Sequence, residues 1–141
     1  MKRFMALQVC LAFIMLILSV FLITGCGSNG QTGHWLAVAA PTVGVVSPLD
    51  AATGVCVNKL ITATFSKAML DSTITVPGTF TLYDETAAAD APGLVTYDAP
   101  TKTATFTPTA LLIDGDVYTA TISTAAKDSN GNALAASIVW S

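Results

Sequence analysis

Three kinds of side chain in this 141-residue chain have the chemistry for a functional site: cysteine thiols, one imidazole, and the oxygens of acidic or amide residues in Gly-containing turns. The thiols belong to Cys10, Cys26 and Cys56, and the only imidazole to His34. A cysteine nucleophile needs a neighbouring base, and His34 lies in a segment rich in Gly, Ser and Asn. The chain places no second histidine or cysteine near it that could complete a metal site. We therefore expect no catalytic residue, and a solvated His34 within a linker.

Two oxygen-rich turns contain candidate calcium ligands. Asp114 and Asp116 flank a glycine, and Asp128, Asn130 and Asn132 form the second cluster. Calcium prefers such oxygens, but the second cluster lacks the closing Glu of an EF-hand loop. Asp, Asn and Gly also form turns without any metal. The sequence therefore predicts no metal site, and these five residues remain calcium candidates only if both loops lie at one end of the fold.

The remaining acidic residues indicate neither catalysis nor nucleic-acid binding. Asp84 and Glu85 are adjacent, and neighbours on a strand point to opposite faces, so we expect a solvated loop rather than a catalytic pair. Residues 26–141 carry nine carboxylates against four lysines, whereas nucleic-acid binding needs a basic face. The sequence shows no nucleophile elbow, Gly-rich phosphate loop or zinc-ligand spacing. These patterns predict a protein that is not an enzyme and has no cofactor.

The first residues form an export signal. Lys2 and Arg3 precede an apolar run over residues 4–23, which is long enough to span a bilayer as a helix. The run ends in the pentapeptide LITGC, and this arrangement resembles the lipobox of bacterial lipoproteins. The resemblance implies diacylglyceryl transfer to the Cys26 thiol, cleavage between Gly25 and Cys26, and acylation of the new amino terminus. An uncleaved anchor helix is the alternative.

Composition divides the chain into three parts. Twenty of the first 26 residues are apolar, which accounts for the excess of apolar residues in the whole chain. We assign residues 1–25 to a lipoprotein signal peptide, 26–40 to a flexible tether and 41–141 to one domain. Two acyl chains would hold the mature protein stably on a membrane. In lipoproteins, an Asp directly after the lipidated cysteine commonly retains the protein at the inner membrane, whereas this chain has Gly27 at that position. By this analogy we expect the outer membrane or the cell surface.

Residues 41–141 show the period-2 alternation of half-buried strands. Inward apolar residues alternate with outward threonines, as in Ile61, Ala63 and Phe65 against Thr62 and Thr64. Helical turns are expected only at 66–70 and 125–128, and residues 87–89 are expected to form a loop. About seven short strands in such a length predict an all-β, two-sheet antiparallel sandwich, preceded by the hydrophobic signal helix. The predicted strands cover residues 43–47, 60–65, 79–83, 94–97, 103–107, 118–123 and 137–140.

Cys56 has no disulfide partner in this scheme. Cys10 leaves with the leader and Cys26 takes the lipid, so one thiol remains. An odd cysteine in an exported protein is a buried thiol, part of an intermolecular bridge, or a thiol whose partner is absent from this chain. The flanking Val55 and Val57 favour the buried thiol.

Several separated pieces of residues 41–141 carry a family pattern. In chain order they are Pro41-x-Val43 with Ser47-Pro48, Gly54-Val55, the run from Thr64 to Met69, Tyr97, the run from Thr103 to Pro108, Leu111 and Gly115 before Tyr118 to Ala120, Lys127-Asp128 with Gly131 to Leu134, and Trp140-Ser141. Their order and spacing resemble bacterial Ig-like domains of the S-layer (SbsA-like) type. The resemblance implies an immunoglobulin-like sandwich without catalytic residues. Such domains usually continue past the Trp-Ser pair, so we expect the last strand to be truncated.

Together these features predict a non-catalytic, lipid-anchored protein of the bacterial cell envelope. Its membrane contact is the lipid on Cys26, and its domain serves as a structural spacer or adhesion module. A protein or polysaccharide of the cell surface is the expected partner. The alternative is a calcium-dependent or carbohydrate-binding adhesion domain that uses the end loops of the sandwich.

Overall fold

Eight strands and one short helix form the regular structure of residues 38–141, the part of the chain that this computed structural model describes. The predicted signal helix lies outside these residues. Among the described residues no helix is long and apolar enough to cross a membrane. The helix is α1 (Asp71–Ile74), and the strands are β1 (Val43–Ser47), β2 (Ile61–Phe65), β3 (Phe80–Asp84), β4 (Ala89–Asp90), β5 (Gly93–Asp98), β6 (Thr103–Pro108), β7 (Tyr118–Ile122) and β8 (Ile138–Trp140).

The strands form two four-stranded antiparallel sheets. Sheet 1 has the order β1-β2-β6-β5, and sheet 2 the order β4-β3-β7-β8. The predicted all-β sandwich is confirmed, and each of its seven strands lies within one or two residues of the predicted bounds. The two-residue β4 was missed, because two residues are too few to show an alternation.

The alternation along each strand separates core from surface. In β2, Ile61, Ala63 and Phe65 are buried while the threonines between them are half-exposed. On the outer face of sheet 1, the hydroxyls of Thr64 and Thr103 lie 3.0 Å apart and share a hydrogen bond. A β-branched side chain suits extended backbone, and its hydroxyl keeps this charge-poor surface hydrated.

Aromatic side chains join the two inner faces. The ring of Phe80 in sheet 2 lies 5.8 Å from the ring of Phe106 in sheet 1 and 5.8 Å from that of Trp140, centroid to centroid. Tilted aromatic pairs at this separation stabilise the fold beyond the contribution of burying their apolar surface. Trp140, in the strand predicted over residues 137–140, is therefore a core residue. The other buried apolar residues are Ile61, Ala63, Phe65, Met69, Ile74, Leu82, Ala104, Ala120, Ile122, Ala126 and Leu134.

Both predicted helical turns were wrong. The helical turn occupies Asp71–Ile74 instead of 66–70, and residues 125–128 are not helical. Pairing between the two segments overrides their local preference, because the Leu70 amide donates to the Lys127 carbonyl at 2.8 Å. An isolated bridge between Met69 and Asp128 fixes the same contact.

The domain begins at one end of the sandwich and finishes at the other. The register places Val43 of β1 beside Phe65, whereas Trp140 of β8 pairs with Ala120 and points toward the start of β7. The Ser141 amide then donates to the Asp50 carboxylate at 3.1 Å. We call the end with Val43 the entry end and the end with Ser141 the cleft end.

We expect Gly93→Ala to destabilise the domain, because a Cβ at this position would lie 2.3 Å from Cζ of Phe106 and 2.9 Å from the Thr107 carbonyl oxygen. Phe106 is buried and cannot move aside cheaply. Overpacking of this kind lowers the free energy of unfolding by about 1–3 kcal/mol, which urea denaturation would measure. Gly44→Ala in β1 is the matched control, since its nearest atom would be 3.8 Å away. Equal stabilities of the two variants would contradict the prediction.

Candidate functional site

A cleft of about 540 Å³ opens at the cleft end, between the two sheets. Its inner wall consists of Ile61, Leu82, Ala120 and Trp140, which belong to four different strands. Loops 48–59 and 112–117 form its rim. We call this space the end cleft. Its volume lies within the range of small-molecule and peptide sites, and its wall is mainly apolar.

Cys56 lines the end cleft and is exposed, so the expectation of a buried thiol was wrong. The flanking valines lie in an irregular loop rather than in a strand, and Val55 is itself exposed. The Lys59 amide donates to the Cys56 carbonyl at 2.9 Å, which closes a turn here. A thiol in this position can react with an incoming reagent, but the described residues contain no histidine to activate it.

Asp84 is a buried structural carboxylate, not part of a solvated loop as the sequence suggested. It is 6% exposed and accepts the amides of Thr86 and Ala87, both at 2.9 Å. The Ala87 amide is the main reason that the pKa of Asp84 is lowered. The carboxylate thus closes the turn between β3 and β4. Its neighbour Glu85 is exposed, so the two acids do not form a catalytic pair.

The loop before β7 carries the first pair of candidate ligands. Asp116 lies beside Asp84, and burial together with the Asp84 charge raises the pKa of Asp116. Asp114 is exposed on the rim of the cleft. The Ile113 amide donates to the Tyr118 hydroxyl at 3.0 Å, and burial raises the pKa of Tyr118. The hydrogen bond from Ile113 to Tyr118 holds the loop in place.

The buried Asp128 carboxylate is the hydrogen-bond acceptor at the centre of the second cluster. It is 1% exposed and accepts the amides of Asn130 at 3.0 Å and Asn132 at 2.9 Å. The Asn132 side chain donates to both oxygens, and Lys67 Nζ lies 3.7 Å from Oδ2. These hydrogen bonds, the Asn132 side chain first, lower the pKa of Asp128. The loop's own amides thus already occupy the Asp128 oxygens, and the Asp, Asn and Gly residues of this segment had predicted a turn from the sequence. The contact with Lys67 could not be predicted in this way, because Lys67 lies far from Asp128 in the sequence.

The structure does not bring the two calcium-candidate loops together. Asp116 precedes β7 at the cleft end, and Asp128 follows β7 at the entry end. Among residues 38–141, no group of three or more His, Cys, Asp or Glu side chains is arranged to hold a metal ion. Gly25 and Cys26, the predicted cleavage and lipidation site, and His34 lie outside the described residues.

Known families and structures resemble this arrangement. The sequence model of the family described as "Bacterial Ig-like domain" matches residues 37–141. The structure of surface layer protein SbsC, domains 1–6, is 26% identical with a TM-score of 0.55, and the match covers 74% of this chain and 13% of that one. The N-terminal part of the bacterial S-layer protein SbsC is 25% identical with a TM-score of 0.52, covering 74% of this chain and 24% of that one. The chain thus spans a small part of these proteins. No curated protein matches it.

We expect Asp128→Asn to lower the melting temperature at neutral pH and to flatten its acid dependence. A lowered folded-state pKa means that the Asp128 carboxylate stabilises the fold above the ordinary carboxyl pKa and that this contribution is lost as the pH falls toward the folded value. Melting curves from about pH 7 to about pH 2 would measure the effect. Asp71→Asn, an exposed acid, is the control. A variant as acid-sensitive as the parent would contradict this role.

We expect millimolar calcium to leave the melting temperature unchanged. A ligand that binds only the folded state raises stability by mass action, but the candidate oxygens lie at opposite ends and Asp128 is already hydrogen-bonded. Thermal unfolding with calcium and with a chelator tests this. A rise with calcium that Asp114→Asn abolishes would establish a calcium site.

Proposed function

This chain belongs to the bacterial Ig-like domain family, and from that premise we propose that it is a non-catalytic structural module of the bacterial cell surface, held to a membrane by lipid on Cys26. Its Ig-like sandwich acts as a spacer that carries an adhesive end away from the membrane. The SbsC structures that resemble it belong to a surface layer protein, which supports the cell-surface location.

The observation that carries the spacer role is the placement of the two domain ends. β1 begins at the entry end and β8 finishes at the cleft end, so the chain crosses the length of the sandwich between them. A module built this way keeps its two ends apart by the length of the sandwich. A tether at the entry end would therefore present the end cleft on the far side.

The internal structure suits a passive, rigid module. No buried side-chain nitrogen or oxygen in residues 38–141 lacks a hydrogen-bond partner. Three of the four edge strands offer little backbone for unintended pairing, because β4 has two residues, β8 has three, and β1 is irregular between Val43 and Val45, whereas β5 is a regular edge of six residues. Short and bulged edge strands are common protections against sheet-to-sheet aggregation.

The anchoring part of the proposal rests on the sequence of residues 1–40. A basic start, an apolar run and the LITGC pentapeptide supply the lipidation signal. Residues 26–40 supply a tether that begins with Gly, Ser, Asn and Gln, a composition typical of flexible linkers. Each extended residue spans about 3.4 Å, so the tether gives the domain free reach above the lipid surface. Without a signal for inner-membrane retention at Gly27, the outer membrane or the cell surface is its place.

The ligand-binding alternative has less support. Calcium-dependent or carbohydrate-binding adhesion through both end loops would need Asp114 and Asp116 beside Asp128, and β7 separates them. A surface protein or polysaccharide partner remains part of the proposal, with contacts at the exposed cleft end. No enzymatic role is proposed.

We expect Cys26→Ala to abolish incorporation of labelled fatty acid and to leave the chain at its unprocessed size, because the thioether and the new amino terminus carry all the lipid. Metabolic labelling followed by gel electrophoresis measures both effects, and the parent should be labelled and processed. Cys56→Ala is the matched control and should label fully, since Cys56 lies in the folded domain. A parent chain that carries no label and stays in the membrane at unprocessed size would indicate an anchor helix instead.

A further inference from the structure

Among the four sheet edges of residues 38–141, only the edge formed by β5 lacks a protection against pairing. The strand runs over Gly93–Asp98 in unbroken register with β6, and nothing pairs with its other side. It contains no proline, lysine or bulge, whereas β4 and β8 have two and three residues and β1 is irregular. A regular edge of this length is a template for a further strand.

Alternate residues of β5 turn their backbone groups away from β6. The Thr109 amide donates to the Pro92 carbonyl at 2.9 Å, so these two residues form a hydrogen-bonded pair. Such pairs recur at every second residue of an antiparallel ladder. The even-numbered residues of β5 therefore bond to β6, and the odd-numbered residues face the open edge. These are Gly93, Val95 and Tyr97, and within residues 38–141 no hydrogen bond uses their three amides and three carbonyls.

The edge is accessible. Gly93 is exposed, and since glycine has no side chain, this exposure belongs to its backbone. Leu94 and Thr96, on the outer face of sheet 1, are also exposed, Leu94 by 65%. The segment of α1 packs on the inner side of β5, where the Met69 amide donates to the Tyr97 hydroxyl at 2.8 Å. An incoming strand can therefore reach the unpaired amides and carbonyls of β5.

We propose that two copies of this chain pair through β5, antiparallel and related by a two-fold axis beside Val95. The two Val95 residues form the central hydrogen-bonded pair, and Gly93 of each copy pairs with Tyr97 of the other. This register alone joins all three outward-facing residues of both copies, so every free amide and carbonyl of the two edges gains a partner. Sheet 1 of each copy then becomes half of one continuous sheet.

The side chains of β5 suit a second copy in this register. On the outer face, Leu94 lies opposite Thr96 of the other copy, and the two Leu94 side chains are diagonal neighbours that cover each other. Asp98 is the only charged residue of the strand and lies opposite Pro92 of the other copy. The two Asp98 carboxylates are six residues apart along the ladder, about 20 Å. The edge is thus complementary to itself, without like charges facing each other.

The pair is closed at two copies, because both use the same edge in a two-fold contact. It is a side-by-side contact that leaves both ends of each sandwich free, with the two long axes in opposite directions. The tether over residues 26–40 reaches about 50 Å when extended, which exceeds the length of β5, about 20 Å, so both tethers can reach one membrane. The inference goes beyond the proposed function, since it concerns the domain alone and holds whether or not Cys26 carries lipid.

Disulfide cross-linking of the full chain tests the register. Leu94 of one copy and Thr96 of the other form a non-hydrogen-bonded pair, whose Cα atoms lie about 4.5 Å apart and within disulfide range. Leu94→Cys and Thr96→Cys chains, each also carrying Cys10→Ser and Cys56→Ser, are co-expressed in bacteria with tags of different size. Oxidation of the detergent extract should give a mixed dimer on a non-reducing gel, and a reductant should remove it.

Three controls accompany this experiment. Leu94→Cys alone should give little dimer, because diagonal neighbours lie about 7–8 Å apart, beyond disulfide range. Leu94→Cys with Val45→Cys, an exposed residue of the opposite edge strand of the same sheet, measures cross-linking by random collision and should also give little. The Cys10→Ser, Cys56→Ser parent reports any product that comes from Cys26.

Val95→Pro tests the backbone contribution. Proline cannot donate the central hydrogen bond of the pair, and it is tolerated where the replaced amide points away from an edge strand. Adding Val95→Pro to both chains should therefore remove the mixed dimer. Melting curves verify that the variant folds, and the comparison of thiol positions stands independently of it.

Each failure has its own signature. Equal yields from the Leu94–Thr96 and Leu94–Val45 combinations would indicate random collision and overturn the proposal. A Leu94→Cys homodimer that exceeds the mixed dimer would overturn the antiparallel register. Products of another mass would identify a different occupant and equally overturn it. A folded Val95→Pro chain that cross-links fully would overturn the backbone basis. Fatty-acid labelling of the same samples reports separately on the anchor, so failure of lipidation leaves the cross-linking result readable.

Discussion

The fold depends on the packing of Phe80 against one ring from each sheet. Phe106 comes from β6 in sheet 1, and Trp140 from β8 at the edge of sheet 2, both at 5.8 Å from Phe80. Sheets with one apolar face must cover it, and here aromatic contacts fix how the two faces meet. Trp140 also forms part of the wall of the end cleft. The same contact therefore closes the core and sets the shape of the surface above it.

The carboxylates of the domain have two roles, and burial decides which role each one has. Asp84 and Asp128 are nearly inaccessible, and each is satisfied by backbone amides of its own turn. Hydrogen bonds to the charged form lower the pKa of both, whereas the nearby Asp84 charge and burial raise the pKa of Asp116. The first two hold turns in place, whereas the third lies in the loop before β7 at the cleft. Exposed acids such as Asp114 are left to define the charge of the surface.

The two ends of the sandwich differ in chemistry from its faces. The outer faces of the sheets carry threonine rows, and every buried side-chain nitrogen and oxygen of the described residues has a hydrogen-bond partner, so these parts contribute to stability. Apolar groups, acids and the only thiol of the described residues converge where β8 finishes.

Period-2 alternation sufficed to predict the strands, because in runs such as Ile61–Phe65 each inward residue is apolar and each outward one is threonine. The turn role of Asp128 also followed from the sequence alone. Tertiary structure decided the rest. The predicted helical turns were wrong because Leu70 pairs with Lys127, a contact between segments far apart in the chain.

Cys56 is exposed because an irregular backbone has no alternation of inward and outward side chains. Asp84 is buried because the folded turn provides amides that bind its carboxylate. The separation of Asp116 from Asp128, and the gathering of acids around one cleft, depend on which strand ends meet, because local patterns set the faces of strands but not the end at which each loop lies.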